Sequence, residues 1–144
     1  MGFFVAYRHT GADPDYLNEL LTTVRDAFSD GGHEIYCTFF DTENVRNKGL
    51  TPRKTMEHAF FRIEEIGKLF VLIDGPEKSD GQIMEVGFCL AKGIPFVVAK
   101  RNSVNNTYID QMTDNSFGYD DLEGLKAGIK ELCEVHNGVE HNRS

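Results

Sequence analysis

The sequence predicts an α/β protein: a single-domain, three-layer sandwich of Rossmann-like or flavodoxin-like type, built on a parallel five-stranded sheet. Three observations lead there. Short apolar runs alternate along the chain with segments whose apolar residues recur at helical spacing, the pattern of successive βαβ units. Those runs are unbroken instead of alternating with polar residues, as strands covered on both faces require. The length of 144 residues suits one domain that buries most of the surface its unfolded chain would expose.

Each element has its own signal. The first strand is FFVAY, residues 3–7. Asp13 and Pro14 form a cap and first-turn pair, after which Leu17, Leu20, Leu21, Val24 and Phe28 mark the inward stripe of a helix that SDGG (29–32) ends. HEIYCTFF (33–40) is the second strand, and the polar stretch 41–50 follows it. Thr51 and Pro52 open a second helix with Met56, Ala59, Phe60 and Ile63 inward. LFVLID (69–74) is the third strand and PFVVAK (95–100) the fourth, with a helix between them. SFGY (116–119) is a weak fifth strand. A last helix starts at Asp120 with Leu122, Leu125, Ile129 and Leu132 inward. The domain is expected to span 1–136, leaving NGVEHNRS (137–144) as a frayed tail.

Composition narrows the function classes. Fifteen Lys and Arg stand against 23 Asp and Glu, a net charge of -8, so neither a nucleic-acid polymer nor an anionic membrane is an expected partner. The opening MGFFVAYRHTG has too short an apolar run for a signal peptide, and no stretch approaches the roughly 18 apolar residues of a membrane span. A soluble, cytoplasmic protein is the expectation. Cys37, Cys89 and Cys133 lack metal-site spacing and sit among apolar neighbours, as buried reduced thiols do. No metal and no other cofactor is implied. GxGxxG and GxxxxGK[ST] are both absent.

In a parallel sheet of this type ligands bind beyond the carboxyl ends of the strands, where strand order reverses. That directs attention to the loops 7–13, 39–51, 74–82 and 100–115. SDGQIMEVGFCLAKGIPFVV (79–98) then stands out, because it places one carboxylate, Glu85, inside an otherwise buried helix, turn and strand. Close to the helix amino end, the unpaired N–H groups and the dipole are expected to keep Glu85 ionised. Either it complements the dipole as an ordinary first-turn acid, or it is a poised chemical group.

This segment, with VAYRHTGAD after the first strand and TFFDTENVRNKGLT after the second, resembles the nucleoside 2-deoxyribosyltransferase superfamily, which includes 2'-deoxynucleoside 5'-phosphate N-hydrolases. The resemblance covers residues 3 to about 125. It implies that Glu85 is a nucleophile: it attacks the anomeric carbon of a (deoxy)ribosyl group, displaces the base, and forms a glycosyl-enzyme that water or a second base resolves with retention. The substrate would be a nucleoside or its 5'-monophosphate.

Further residues follow from the same reading. Tyr7 is placed to orient Glu85 by a hydrogen bond. Arg8, His9 and Thr10 are candidate donors to phosphate or sugar, with Gly11 allowing close backbone approach; Arg8 is equally an ordinary surface ion pair. Ser79 and Gly81, at the helix start, suit a 5'-phosphate, although Ser79 also reads as a plain N-cap and Asp80 opposes an anion. Phe39 and Phe40 alternate along a strand, so one is expected to stack on the base and the other to enter the core. Asp41 or Asn44 would read a base edge. Where several superfamily members carry an aspartate for the leaving base this chain has Phe60, which leaves the general acid open between Asp41 and His58. MTDNSFGYDDLE (112–123) resembles a segment that reaches a neighbour's site, so Asp114 and Asn115 are expected to bind sugar or phosphate across the interface of a homodimer or larger homo-oligomer. The rival from another class is a non-catalytic nucleotide-binding or signalling module on the same fold.

Overall fold

The computed structural model describes residues 2–9, 11–46 and 48–143. Five strands, β1 (Gly2–Ala6), β2 (Glu34–Tyr36), β3 (Leu69–Ile73), β4 (Phe96–Arg101) and β5 (Ser116–Tyr119), form one all-parallel sheet in the order β2-β1-β3-β4-β5. Four helices cover it: α1 (Pro14–Asp30), α2 (Pro52–Ile66), α3 (Asp80–Lys92) and α4 (Leu122–Arg143). Fold class and strand content agree with the expectation.

The strands separate two cores by simple alternation. Phe3, Val5, Phe70, Leu72, Val97 and Ala99 face α1 and α4, joined by Leu21, Val24, Phe28, Leu125 and Ile129. Phe4, Ala6, Leu69, Val71, Ile73 and Val98 face α2 and α3, joined by Ala59, Ile63, Val86 and Cys89. Because both faces of β3 are covered, all five of its residues are buried, which is why it reads as a continuous apolar run.

Local chemistry sets the helix ends. The side chains of Asp13, Thr51 and Ser79 accept from the backbone N–H of Tyr16, Lys54 and Gln82 at 3.3, 3.2 and 3.2 Å, each satisfying one orphan donor of a first turn. Gly67 and Gly93 stop α2 and α3 at φ of 83° and 71°, a left-handed conformation that costs a glycine nothing. The helix α4 runs over part of the segment expected as a tail. Up to Asn137 it is tied to the domain, since Asn137 Nδ2 donates to Gly31 O (3.1 Å) and its Oδ1 pairs with His33 Nε2 (3.1 Å).

One element departs from the sequence reading. The second strand was expected over 33–40, yet pairing stops at Tyr36, which lies opposite Phe4. The chain then turns, with Phe40 N–H donating to Cys37 O at 3.0 Å, and a single π-helical turn follows at Thr42–Arg46. An edge strand has one partner, and β1 itself ends at Ala6. Apolar, β-prone residues alone do not extend a ladder that has nothing to pair with. Among the described residues no helix is long and apolar enough to cross a membrane.

Candidate active site

Strand order reverses between β1 and β3, so their carboxyl ends diverge and open a crevice. Gln82 fills its throat. This buried side chain, on the first turn of α3, donates from Nε2 to Ala6 O (3.0 Å) and Leu72 O (2.6 Å), one acceptor from each diverging strand. One turn further along the same helix face lies Glu85.

Glu85 lines a cavity of about 330 Å³ together with Tyr7 and His9 after β1, Thr38 and Arg46 after β2, Thr55, Met56 and Ala59 of α2, and Ser79 and Gly81 at the start of α3. The volume is at the lower end of that of small-molecule sites. Glu85 is 8% exposed, and among the described residues its carboxylate accepts no hydrogen bond. Burial without compensation disfavours the charged form, and the carboxyl is pushed up to about 8. This corrects the expectation of a carboxylate held ionised by the helix start. Glu85 is the sixth residue of a helix that begins at Asp80, beyond the first-turn N–H groups, and the dipole effect fades within that turn.

The structure brings some of the expected residues to this cavity and leaves others elsewhere. Tyr7 lines it, but the Tyr7 hydroxyl pairs with Thr38 Oγ1 at 3.2 Å and not with Glu85. Burial raises the Tyr7 phenol well above its usual range; the charge of Glu85 adds to the shift and Arg46 opposes it, so both charges act on this ring. Ser79 and Gly81 are at the cavity wall. Arg8 and Gly11 are not. Arg8 lies on the other side of the throat, in a smaller hollow of about 150 Å³ with Tyr16, Asp74 and Gln82, and approaches Glu77 at 3.9 Å. Gly11 turns the loop at φ 76°. Thr10 lies outside the described residues.

The aromatic pair behaves differently from the alternation argument, because residues 38–40 are a turn and not a strand. Phe39 is buried in the α1/α4 core and Phe40 packs against that core. Their faces are taken by arginines: Arg46 Cζ sits 4.0 Å from the Phe39 centroid and Arg25 Cζ 4.7 Å from that of Phe40. Neither ring lines the cavity.

Asp41 and His58 share one partner outside the cavity lining. Tyr36 donates its hydroxyl proton to Asp41 Oδ2 (2.5 Å), so the 2.6 Å contact between Tyr36 oxygen and His58 Nε2 assigns the Nε2 proton to His58. Burial works to raise the Asp41 carboxyl, but hydrogen bonds from Tyr36 and Asn44 outweigh it and hold the group below its usual value. Asp41 also accepts from Asn44 N–H (3.1 Å) and its carbonyl from Arg46 N–H (2.9 Å). Asp41 therefore holds the turn that carries Arg46. Phe60 lies flat on Phe88, centroids 4.6 Å apart and 16° between planes, an apolar contact as the helical stripe predicts.

Asp114 and Asn115 precede β5, at the amino end of the sheet and away from Glu85. There Thr113 Oγ1 donates to Phe96 O (2.8 Å) and Val98 N–H to Asn115 O (3.0 Å). Sequence reading missed Gln82, Thr38 and Arg46. Gln82 was legible as the residue three before Glu85 on one helix face; a threonine and an arginine in a polar loop carry no such signal. A larger groove of about 760 Å³ between α1 and α4 is walled by Asp26, Lys126, Lys130 and Glu134, all exposed.

The class defined by this fold and crevice is an open parallel α/β sandwich with a ligand-sized cavity at its β1/β3 switch point. No protein-family profile and no curated relative matches the chain by sequence. Solved structures do. The chain is similar to the CMP N-glycosidase BcmB of Clostridium botulinum (13% identity, 92% of this chain and 99% of that one, TM-score 0.68). It is also similar to 2-deoxyribosyltransferases from Bacillus psychrosaccharolyticus (12%, 88% and 90%, 0.65) and Leishmania mexicana (13%, 90% and 97%, 0.61). At these identities the likeness shows a shared fold, over 88 to 99% of each chain.

Proposed function

We propose that this protein cleaves the N-glycosidic bond of a (2'-deoxy)nucleoside or its 5'-monophosphate, through a covalent glycosyl-enzyme on Glu85, and passes the sugar to water or to another base. The observation that carries this reading is a buried carboxylate that accepts no hydrogen bond among the described residues, lining a cavity at the switch point of the sheet. A buried acid left without partners is costly to the fold, and perturbed carboxyls in clefts mark functional sites. The fold shared with an N-glycosidase and two deoxyribosyltransferases supports the same chemistry.

In the first step a Glu85 oxygen attacks C1', the C1'–N bond breaks, and its electron pair leaves with the base. In the second, water or a base nitrogen attacks C1' from the face the first base left, restoring Glu85 and the original configuration. The reactive form is the carboxylate. With the carboxyl at about 8, the free protein holds Glu85 mostly protonated at neutral pH, and its rate rises as pH passes through that value. Desolvation makes the ionised fraction a stronger nucleophile than a solvated carboxylate. The start of α3, with Ser79 and Gly81 at the wall, offers backbone N–H groups to a 5'-phosphate. Asp114 and Asn115, remote from their own cavity, serve the neighbouring subunit of a homodimer or larger homo-oligomer.

The test is a product assay on a panel of nucleosides and 5'-monophosphates, with and without an acceptor base, following free base by chromatography. Release from monophosphates alone identifies a nucleotide hydrolase, and base exchange a transferase. A Glu85→Ala protein that turns over at the wild-type rate contradicts the mechanism, and binding without turnover in the wild type leaves a nucleotide-binding module.

A further inference from the structure

The reaction proposed above needs something to receive the negative charge of the departing base, and the expected general acids do not provide it. The place where an aspartate was sought holds Phe60, stacked on Phe88. Asp41 and His58 are engaged with Tyr36 outside the cavity lining. Of the other titratable groups in the lining, Tyr7 has its hydroxyl on Thr38 and is raised well above its usual range by burial, and His9 follows β1, the strand between β2 and β3.

Arg46, a cation, stands in the same lining. The cavity is lined by Ser79 and Gly81 at the start of α3, which follows β3, by Tyr7 after β1, and by Val45 and Arg46 after β2; since β1 lies between β2 and β3, the α3 start and Arg46 come from opposite sides of it. If the helix start takes the phosphate and Glu85 meets C1', the base falls on the Arg46 side. Arg46 is held firmly: Nη1 donates to Phe39 O at 3.1 Å, and Cζ lies 4.0 Å from the Phe39 ring centroid. The turn that carries it is fastened by Asp41. In a chain with net charge -8 this arginine pairs with no carboxylate among the described residues, so its remaining N–H groups are available to a ligand. Its charge reaches the middle of the cavity, where it acts on the Tyr7 hydroxyl. Guanidinium planes also accept a stacked base.

Resting on the glycosidase reading, we infer that Arg46 binds the leaving base and stabilises it as an anion, which selects bases with a carbonyl oxygen next to the glycosidic nitrogen, the 2-oxopyrimidines. When C1'–N breaks, the electron pair spreads over the ring nitrogen and that oxygen, where an Arg46 N–H donates. The base takes a proton from water after release. No acid side chain is consumed, and Glu85 is regenerated by water at C1'.

Leaving-group dependence tests this. Wild-type, Arg46→Gln and Arg46→Lys proteins are assayed on a 2-oxopyrimidine substrate and on its 5-fluoro analogue, whose base is a more stable anion, in whichever sugar form the wild type accepts. Arg46→Gln should lower kcat about 100-fold on the parent substrate, the scale of one lost donor to a developing anion, and less than about 10-fold on the fluoro analogue. Arg46→Lys should fall between. Equal losses on both substrates, a change confined to KM, or wild-type turnover limited to purines overturns the role of Arg46 and leaves the glycosidase reading standing. If the wild type releases no base from any substrate, both fall together.

Discussion

Two acids end at the same edge of the sheet, and their surroundings are opposite. Asp74, just past β3, is fully engaged: Oδ1 accepts from the Tyr119 hydroxyl (2.5 Å) and Arg101 Nη2 (3.0 Å), Oδ2 from the Tyr16 hydroxyl (2.7 Å), and its carbonyl from Arg101 Nε (3.1 Å). Arg101 reaches on to Asp120 O (2.5 Å), so one cluster fastens β3, β4, β5 and α1. Glu85 lies across the throat on the α2/α3 side, more deeply buried and with no donor among the described residues. A satisfied acid is explained by the architecture it holds together. An unsatisfied one facing a cavity is explained by what it meets there.

The contrast breaks first on activity. Glu85→Gln keeps shape and removes the nucleophile, and base release should fall by about 10⁴-fold, the scale of losing a covalent catalyst. Asp74→Asn should stay within a few-fold of wild type in the same assay. A comparable loss in both would erase the distinction.

Stability should move the other way. The native state holds the Glu85 proton more tightly than the unfolded chain does, where its value is 4.5. Glu85 therefore costs nothing extra below that pH, and wild-type stability declines as pH rises toward 8, by up to about 5 kcal/mol. Glu85→Gln should lack this decline and be the more stable protein at pH 9 in urea unfolding. Asp74→Ala strands Tyr16, Tyr119 and Arg101, and should cost about 2 kcal/mol, a figure that allows for partial exposure of the cluster. Smaller still, Gln82→Met should cost about 1 to 2 kcal/mol by removing the donor that the carbonyls of Ala6 and Leu72 share. It should also slow turnover several-fold by loosening the throat beneath Glu85.

The same contrast separates what the sequence made legible from what it hid. Periodicity located the four α-helices and all five strands, because burial on both faces imposes a pattern on each element: the stripe Leu17, Leu20, Leu21, Val24 and Phe28 is buried as read. Glu85 was legible as an acid in an apolar run, and Ser79 as a helix cap. What pairing and desolvation decide was hidden. HEIYCTFF carries no mark of where its partner strand ends, so Phe39 and Phe40 were read as an alternating pair when they lie in a turn. Likewise, spacing put Glu85 near a helix start, but its protonation depends on which N–H groups reach it and on how much water does. The Asp74 cluster joins residues up to 85 positions apart, which no local pattern encodes, and Arg46 sits on a single π-helical turn too short to carry a periodic signal.

Trapping the intermediate tests the nucleophile itself. Wild-type protein mixed with substrate at pH 8 to 9, quenched in acid and digested, should yield the peptide containing Glu85 with the added mass of one sugar or sugar phosphate, localised to Glu85 by fragmentation and absent from Glu85→Gln. Base release at full rate with that peptide unmodified, or the sugar found on another side chain such as Asp74, would contradict the assignment.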